Sequence, residues 1–182
     1  VKSMKVTAII ASPRNGGNGD ILVDEAIKGA EENGAEVTKY YIDELNVEPC
    51  HACGHCGDGI DCKVQDDGAK IIEELLDTDA LIFTTPIYYG QMSAQGKAIT
   101  DRFYSVSRNP QKEFNGKAFL IFTHGAPDGV YDTYIELTKA APFGHTGWDV
   151  VNTLDVGGIQ EAGEVNNFDG KLKEAYEIGK SL

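Results

Sequence analysis

Four cysteines, all that the chain contains, stand within thirteen residues as C-x2-C-x2-C-x5-C: Cys50, Cys53, Cys56 and Cys62. Two C-x2-C steps in succession put three thiols on one small concave loop, and a fourth a few residues on can close a four-sulfur cage. Structural zinc sites usually separate their two C-x2-C pairs by a dozen or more residues, so that two knuckles face each other. A C-x2-C-x2-C run is instead the spacing of cubane [4Fe–4S] ligation. Where such a run serves two clusters, a proline follows the fourth cysteine; here Lys63 follows Cys62 and no second cysteine set exists. One self-contained cluster is therefore expected. Three other readings stay open on spacing alone: zinc, with His51 or His55 as further ligands; two disulfides, which adjacent x2 steps would strain; and thiols that bind nothing.

Three further stretches carry chemistry. Ser12 to Asp20, S-P-R-N-G-G-N-G-D, offers a hydroxyl (Ser12), a fixed cation (Arg14) and backbone N–H groups around Gly16, Gly17 and Gly19, just ahead of a helical pattern. That combination suits a phosphomonoester. It is neither a Walker A loop nor a complete G-x-G-x-x-G, because Leu22 stands where the last glycine would be. Pro86 to Gln95 brings Tyr88 and Tyr89 to a strand's end, where aromatic rings can stack on a flat heterocycle. Thr123, His124 and Gly125 follow another strand and can reach the same ring. A loop histidine is more often structural than catalytic, so only proximity is expected of His124, and His145 has no context that singles it out.

The elements that must position these loops alternate along the chain. Apolar, β-rich runs at Lys5–Ala11, Glu36–Ile42, Ala80–Thr85, Ala118–Thr123 and Trp148–Leu154 read as five strands. Helical patterns fall between and after them: from Leu22 to an Asn33-Gly34 stop, from Asp66-Asp67 through Leu76, and over Gln95–Tyr104, Tyr131–Ala141 and Phe168–Leu182. Strict alternation implies an α/β fold with a parallel sheet between two helical layers, and five strands over this length favour the flavodoxin-like order 2-1-3-4-5. Ligands of such sheets sit beyond the carboxyl ends of the strands, where all three loops fall. No period of either kind survives from Asp43 to Gly68. A structureless stretch of that length in a compact domain is usually functional, and this one holds the cysteines. One domain over residues 1–182 is expected, with a cysteine-rich insertion at about 43–68.

Net charge is −13 and the pI about 4.6. Such a surface repels nucleic acid and anionic membranes, so neither is expected as a partner. The longest apolar run, Ala118 to Phe122, is far short of the ~20 residues that span a bilayer. V-K-S-M-K-V at the start has no apolar export segment, and a reducing, cytoplasmic location is expected, which also disfavours disulfides.

S-P-R-N-G-G-N-G after the first strand, T-P-I-Y-Y-G-Q-M-S-A-Q-G-K-A-I-T-D-R-F after the third, the cysteine loop between them and G-G-I-Q-E-A-G (Gly157 to Gly163) resemble the iron–sulfur flavoproteins. These belong to the NADPH-dependent FMN reductase branch of the flavodoxin-like proteins. The resemblance covers almost the whole chain. It implies FMN held by Ser12, Arg14, Asn15, Gly17, Asn18 and Gly19 of the first loop, by Pro86, Ile87, Tyr88, Tyr89 and Gly90 of the second, and by Thr123, His124 and Gly125 of the third. It also implies a [4Fe–4S] cluster on Cys50, Cys53, Cys56 and Cys62, a homodimer or homotetramer, and electron exchange with ferredoxin or a similar redox protein. FMN passes electrons in pairs or singly and a cubane one at a time, so together they interconvert the two regimes. The rival readings are an NAD(P)H-dependent FMN or quinone reductase without a cluster, and a non-enzymatic electron carrier. One departure stands out: relatives commonly place a hydroxyl residue where this chain has Gly19-Asp20, and a carboxylate there repels a phosphate unless Asp20 points away or caps the helix.

Overall fold

The computed structural model describes residues 2–182. Strands β1 (Lys5–Ile10), β2 (Glu36–Tyr41), β3 (Ala80–Tyr88), β5 (Lys117–Thr123) and β6 (Asp149–Val156) are parallel, in the order β2-β1-β3-β5-β6. Counting only these five gives the expected order 2-1-3-4-5. The sheet has a sixth strand that the sequence pattern hides: β4, Gln91–Met92, antiparallel to the end of β3. β3 itself runs three residues past the expected Thr85, so Pro86 to Tyr88 is strand rather than loop. Proline reads as a breaker, yet Pro86 pairs with Thr123 at the last rung of the β3–β5 ladder, where a missing N–H is tolerated. The chain then reverses through Tyr89 (φ 50°) and Gly90 (φ 80°), the two positive-φ positions that a two-residue hairpin demands.

Helices α1 (Asn18–Glu32) and α6 (Asp169–Ser181) cover one face of the sheet. They approach closely through glycines: a Cβ on Gly179 would lie 2.0 Å from the Ala26 carbonyl oxygen. Helices α2 (Asp67–Leu75), α3 (Ala94–Asp101), α4 (Tyr104–Ser107) and α5 (Asp132–Thr138) are the others. The second face packs Ile71, Leu75, Ile99 and Ile135 against Ile9, Leu81 and Phe83 of the sheet. Phe83, Phe143, Phe103 and Phe114 meet there edge to face at centroid distances of 5.0–5.7 Å, and Trp148 stacks on Phe114 at 4.9 Å. Each buried phenylalanine side chain contributes about 1.5–3 kcal/mol through water exclusion.

Two expected helices are shorter than their apolar pattern. The one over Gln95–Tyr104 breaks after Asp101 and resumes at Tyr104, and the one over Tyr131–Ala141 ends at Thr138, giving way to an irregular turn that contains Pro142. Apart from single 3-10 turns at Ile42–Glu44 and Gly57–Gly59, the stretch expected to be structureless, Asp43 to Gly68, has no regular element until α2 begins at Asp67. No described helix is long and apolar enough to cross a membrane.

Candidate functional site

The first loop leaves β1 through Ala11, whose N–H donates to the Thr84 carbonyl at 2.9 Å. The Ser12 hydroxyl accepts from the Arg14 N–H at 3.1 Å, which turns the chain toward α1. Gly17 caps α1 without any side-chain hydrogen bond. The amides of Asn18, Gly19 and Asp20 therefore open the helix with no intrahelical acceptor, and the positive end of the helix dipole lies beside them. A phosphate is the natural complement of such an end.

Asp20 does not oppose that anion. Its carboxylate is buried and faces the loop's underside, accepting from the Gly16 N–H at 2.8 Å and pairing with Lys39 Nζ at 2.5 Å. Burial works against the Lys39 charge, but hydrogen bonds to Asp20 and Asp24 hold its pKa above the ordinary lysine value. The departure noted in the sequence is thus a brace. Gly16, one of the amides offered for a phosphate, is occupied by it; Gly17 N–H is bent back to the Arg14 carbonyl at 3.3 Å.

Ser12, Arg14, Gly17, Asn18 and Gly19 share one groove of about 240 Å³ with Pro86, Ile87, Tyr88, Thr123, His124 and Gly125. Of the expected flavin residues, three stand off it. Asn15 bonds to Glu44, and Tyr89 and Gly90 form the hairpin tip, with the Tyr89 side chain wholly in solvent. Ile159 and Gln160 complete the lining. They belong to the G-G-I-Q-E-A-G segment, which the sequence offered only as part of the family resemblance and not as ligand-binding residues. That segment is stitched to the first loop: Arg14 Nη1 donates to the Gln160 carbonyl at 2.6 Å, Asn18 Nδ2 to that of Glu161 at 2.9 Å, and Val165 N–H to Asn18 Oδ1 at 3.1 Å.

The His124 side chain is 1% exposed and faces Asp155, Nε2 to Oδ1 at 2.5 Å, with the Tyr131 ring edge-on at 4.8 Å. Asp155 in turn accepts from the Gly129 N–H at 2.7 Å, so the pair fixes the loop after β5. His124 Nδ1 and Thr84 Oγ1 are buried with no protein partner.

All four cysteines line a second, smaller pocket with Arg102, Tyr104 and Ser105. Every thiol is free, and no disulfide joins them. Residues in the left-handed region, Ala52 (φ 51°) and Gly54 (φ 73°), coil the loop so that the Ala52 N–H donates to Cys50 Sγ at 3.4 Å. Burial pushes the Cys56 thiol pKa up, and the neighbouring sulfurs of Cys62, Cys50 and Cys53 add to it. His51 bonds Glu48 at 2.9 Å. Among the described residues, no three Cys, His, Asp or Glu side chains converge as a single-ion site. The four cysteines line a pocket of about 20 Å³ without that convergence, whereas one zinc ion draws four ligands to about 2.0–2.3 Å of a point.

The first site has the parts that the implied flavin needs, and the second has a donor set of the right chemistry for a cluster, although among the described residues its thiols do not converge on one point. The first has an uncapped helix end, a flanking guanidinium and an apolar and aromatic wall; the second has four thiols about one pocket, with N–H donors toward sulfur.

The sequence matches the NADPH-dependent FMN reductase family over residues 4–154. An iron–sulfur flavoprotein of Archaeoglobus fulgidus is 30% identical over 182 residues, 98% of this chain and 79% of that one. One from Methanosarcina thermophila is 39% identical over 99 residues, covering 54% of this chain and 52% of the other. Among solved structures, the NAD(P)H:quinone oxidoreductase from Methanothermobacter marburgensis superposes over the full length of both chains with a TM-score of 0.75 at 18% identity, a likeness of fold. With the sheet order, the groove beyond its carboxyl edge and these matches together, the chain belongs to the iron–sulfur flavoproteins of the NADPH-dependent FMN reductase family, and it is an FMN-dependent oxidoreductase.

Proposed function

We propose that the protein transfers electrons between ferredoxin-type donors and acceptors through FMN in the groove and a [4Fe–4S] cluster on Cys50, Cys53, Cys56 and Cys62. In this reading one flavodoxin-like domain carries a cluster-binding insertion at about 43–68. When bound, the flavin supplies one- or two-electron chemistry and the cluster one-electron chemistry. The chain's own residues bind and orient. The α1 amides and Arg14 hold the phosphate; Asp20 and Lys39 keep the loop in shape from behind. Pro86, Ile87 and Tyr88 form the wall for the ring, with Gly125 and Ile159 in the same groove. No acid–base side chain is required to form a bond.

The observation that carries the cluster half is the arrangement of all four thiols around one pocket. Anaerobic purification with counts of iron, sulfide and flavin tests it: about four irons, four sulfides and one FMN per chain are expected. Full FMN occupancy with no iron, after reconstitution has been attempted, overturns the cluster.

The lack of a single-ion convergence among the thiols favours one second reading, an NAD(P)H-dependent quinone or flavin reductase with the cysteine loop bare. Steady turnover of NAD(P)H with a quinone, in iron-free protein and without ferredoxin, supports that reading.

A further inference from the structure

The cysteine loop is suspended from one buried ion pair. Arg102, just past the end of α3, and Asp66, the N-cap of α2, have side chains only 2% and 3% exposed. Their contacts go to both ends of the loop. Arg102 Nη1 donates to the Glu48 carbonyl at 2.9 Å and Nη2 to the Val64 carbonyl at 3.0 Å. The guanidinium also grips Asp66 in a two-pronged pair at 2.9 and 3.0 Å. Asp66 accepts from the Glu48 N–H at 2.8 Å and from the Ala69 N–H at 2.9 Å. Arg102 Nη2 lies 3.8 Å from Cys62 Sγ. One guanidinium thus touches the residue two before the first cysteine, the fourth cysteine itself, and the residue two beyond it.

A buried ion pair is a poor device for stability alone, because well-packed apolar residues of like volume serve as well or better. Its use here needs another reason, and its contacts supply one. The helix that carries Arg102 is also fixed at its other end, where Ser93 Oγ donates to the Ala11 carbonyl at 2.6 Å, immediately before the phosphate loop.

The geometry points to Arg102 as the positioning residue of the cysteine loop: with Asp66 it ties both ends of the loop together and holds a fixed positive charge beside the Cys62 sulfur, so that it sets how firmly a cluster is retained and at what potential it is reduced. This rests on the cluster reading above. A cation in so dry a place favours the more negative, reduced state of what it faces. Its removal therefore lowers the reduction potential, and loss of the tie loosens the cage.

The test uses full-length protein carrying FMN, reconstituted anaerobically with iron and sulfide. Iron loss to a chelator, the midpoint potential and the electron-spin-resonance spectrum of the reduced protein are compared between wild type, R102K, R102Q and R102Q/D66N. FMN bound per chain reports the integrity of the rest of the fold. R102Q is expected to retain iron about 10–100-fold less well, with a lower potential and normal FMN. R102K keeps the charge without the two-pronged grip, so its potential returns toward wild type while iron still leaks. Should R102Q fail to fold because Asp66 is left without its counter-ion, R102Q/D66N removes both charges together and carries the test through iron retention, with a smaller fall in potential expected because the Asp66 charge goes too. Wild-type retention and potential in the folded R102Q or R102Q/D66N protein overturn the inference; a potential that R102K does not restore overturns its electrostatic half. A wild-type chain that binds FMN but takes up no iron overturns the cluster reading itself, which is a distinct result.

Discussion

Lys39 of β2 reaches under the loop after β1 to Asp20, Nζ to Oδ1 at 2.5 Å, while the second Asp20 oxygen holds the Gly16 N–H at 2.8 Å. A carboxylate that looks misplaced in the sequence is thereby neutralised and made to shape the loop from its buried side. Asp20→Ala deletes a hydrogen bond to a charged group worth about 1.5–3 kcal/mol and releases Gly16. FMN affinity is expected to fall roughly tenfold or more, with the far-ultraviolet circular dichroism unchanged, as followed by flavin fluorescence titration. Unaltered affinity would show that the brace is irrelevant to the ligand.

Gly19 lies against Thr84, whose Oγ1 would be 2.5 Å from an added Cβ. Gly19→Ala is expected to destabilise the fold by about 1–3 kcal/mol through overpacking. The double change Gly19→Ala/Thr84→Ala makes room and should recover most of that. Urea midpoints of the three proteins decide it; a double mutant as weak as the single one contradicts the contact.

The two tyrosines of the hairpin are expected to behave differently. Tyr88 lines the groove, so Tyr88→Ala weakens FMN binding. Tyr89 projects into solvent at φ 50°, a conformation asparagine adopts more readily. Tyr89→Asn should leave FMN affinity as it is and keep or slightly raise stability. Loss of affinity on changing Tyr89 alone would place its ring over the flavin after all.

Acid should loosen the cysteine loop before the sheet. Burial raises the Asp66 pKa, but Arg102 and the amides of Glu48 and Ala69 outweigh it, so the folded value lies below the usual carboxylate range. The pair's stabilisation is therefore complete above the unfolded value, about 4, and is lost as pH falls through the folded one. Asp66→Asn should flatten the acid limb of stability against pH, and it should cost about 3–5 kcal/mol at neutral pH by leaving Arg102 uncompensated. Denaturant midpoints from pH 7 down to pH 2 measure both; identical acid limbs refute the assignment.

Much of this molecule could be read from its residues. K-V-T-A-I-I is a run that only a strand buried on both faces explains, and strands alternating with amphipathic helices leave few parallel topologies. Asp66 at the head of α2 was legible as an acidic helix start, and it does cap the helix. The groove-lining members of the three loops were legible because a hydroxyl, a cation, glycines and aromatic residues gather where strands of a parallel sheet end. What escaped detection depends on distance along the chain. Arg102 looks like a surface cation ending an amphipathic helix, because its partner lies 36 residues upstream and burial of a charge leaves no local pattern. Asp20 reads as an electrostatic fault until Lys39 is seen beneath it. Strand β4 is two residues long, too short for any periodicity to register.

Neither face of the sheet draws any core side chain from residues 48–70, and the backbones of Asn46 and Asp67 are directly bonded to one another. The thiol segment is consequently a cassette: its entry and exit lie side by side, and a short turn could stand in its place provided the buried Arg102 charge kept Asp66 or was removed with it. A change confined to that segment and its ion pair would spare both faces of the sheet and the groove at its edge.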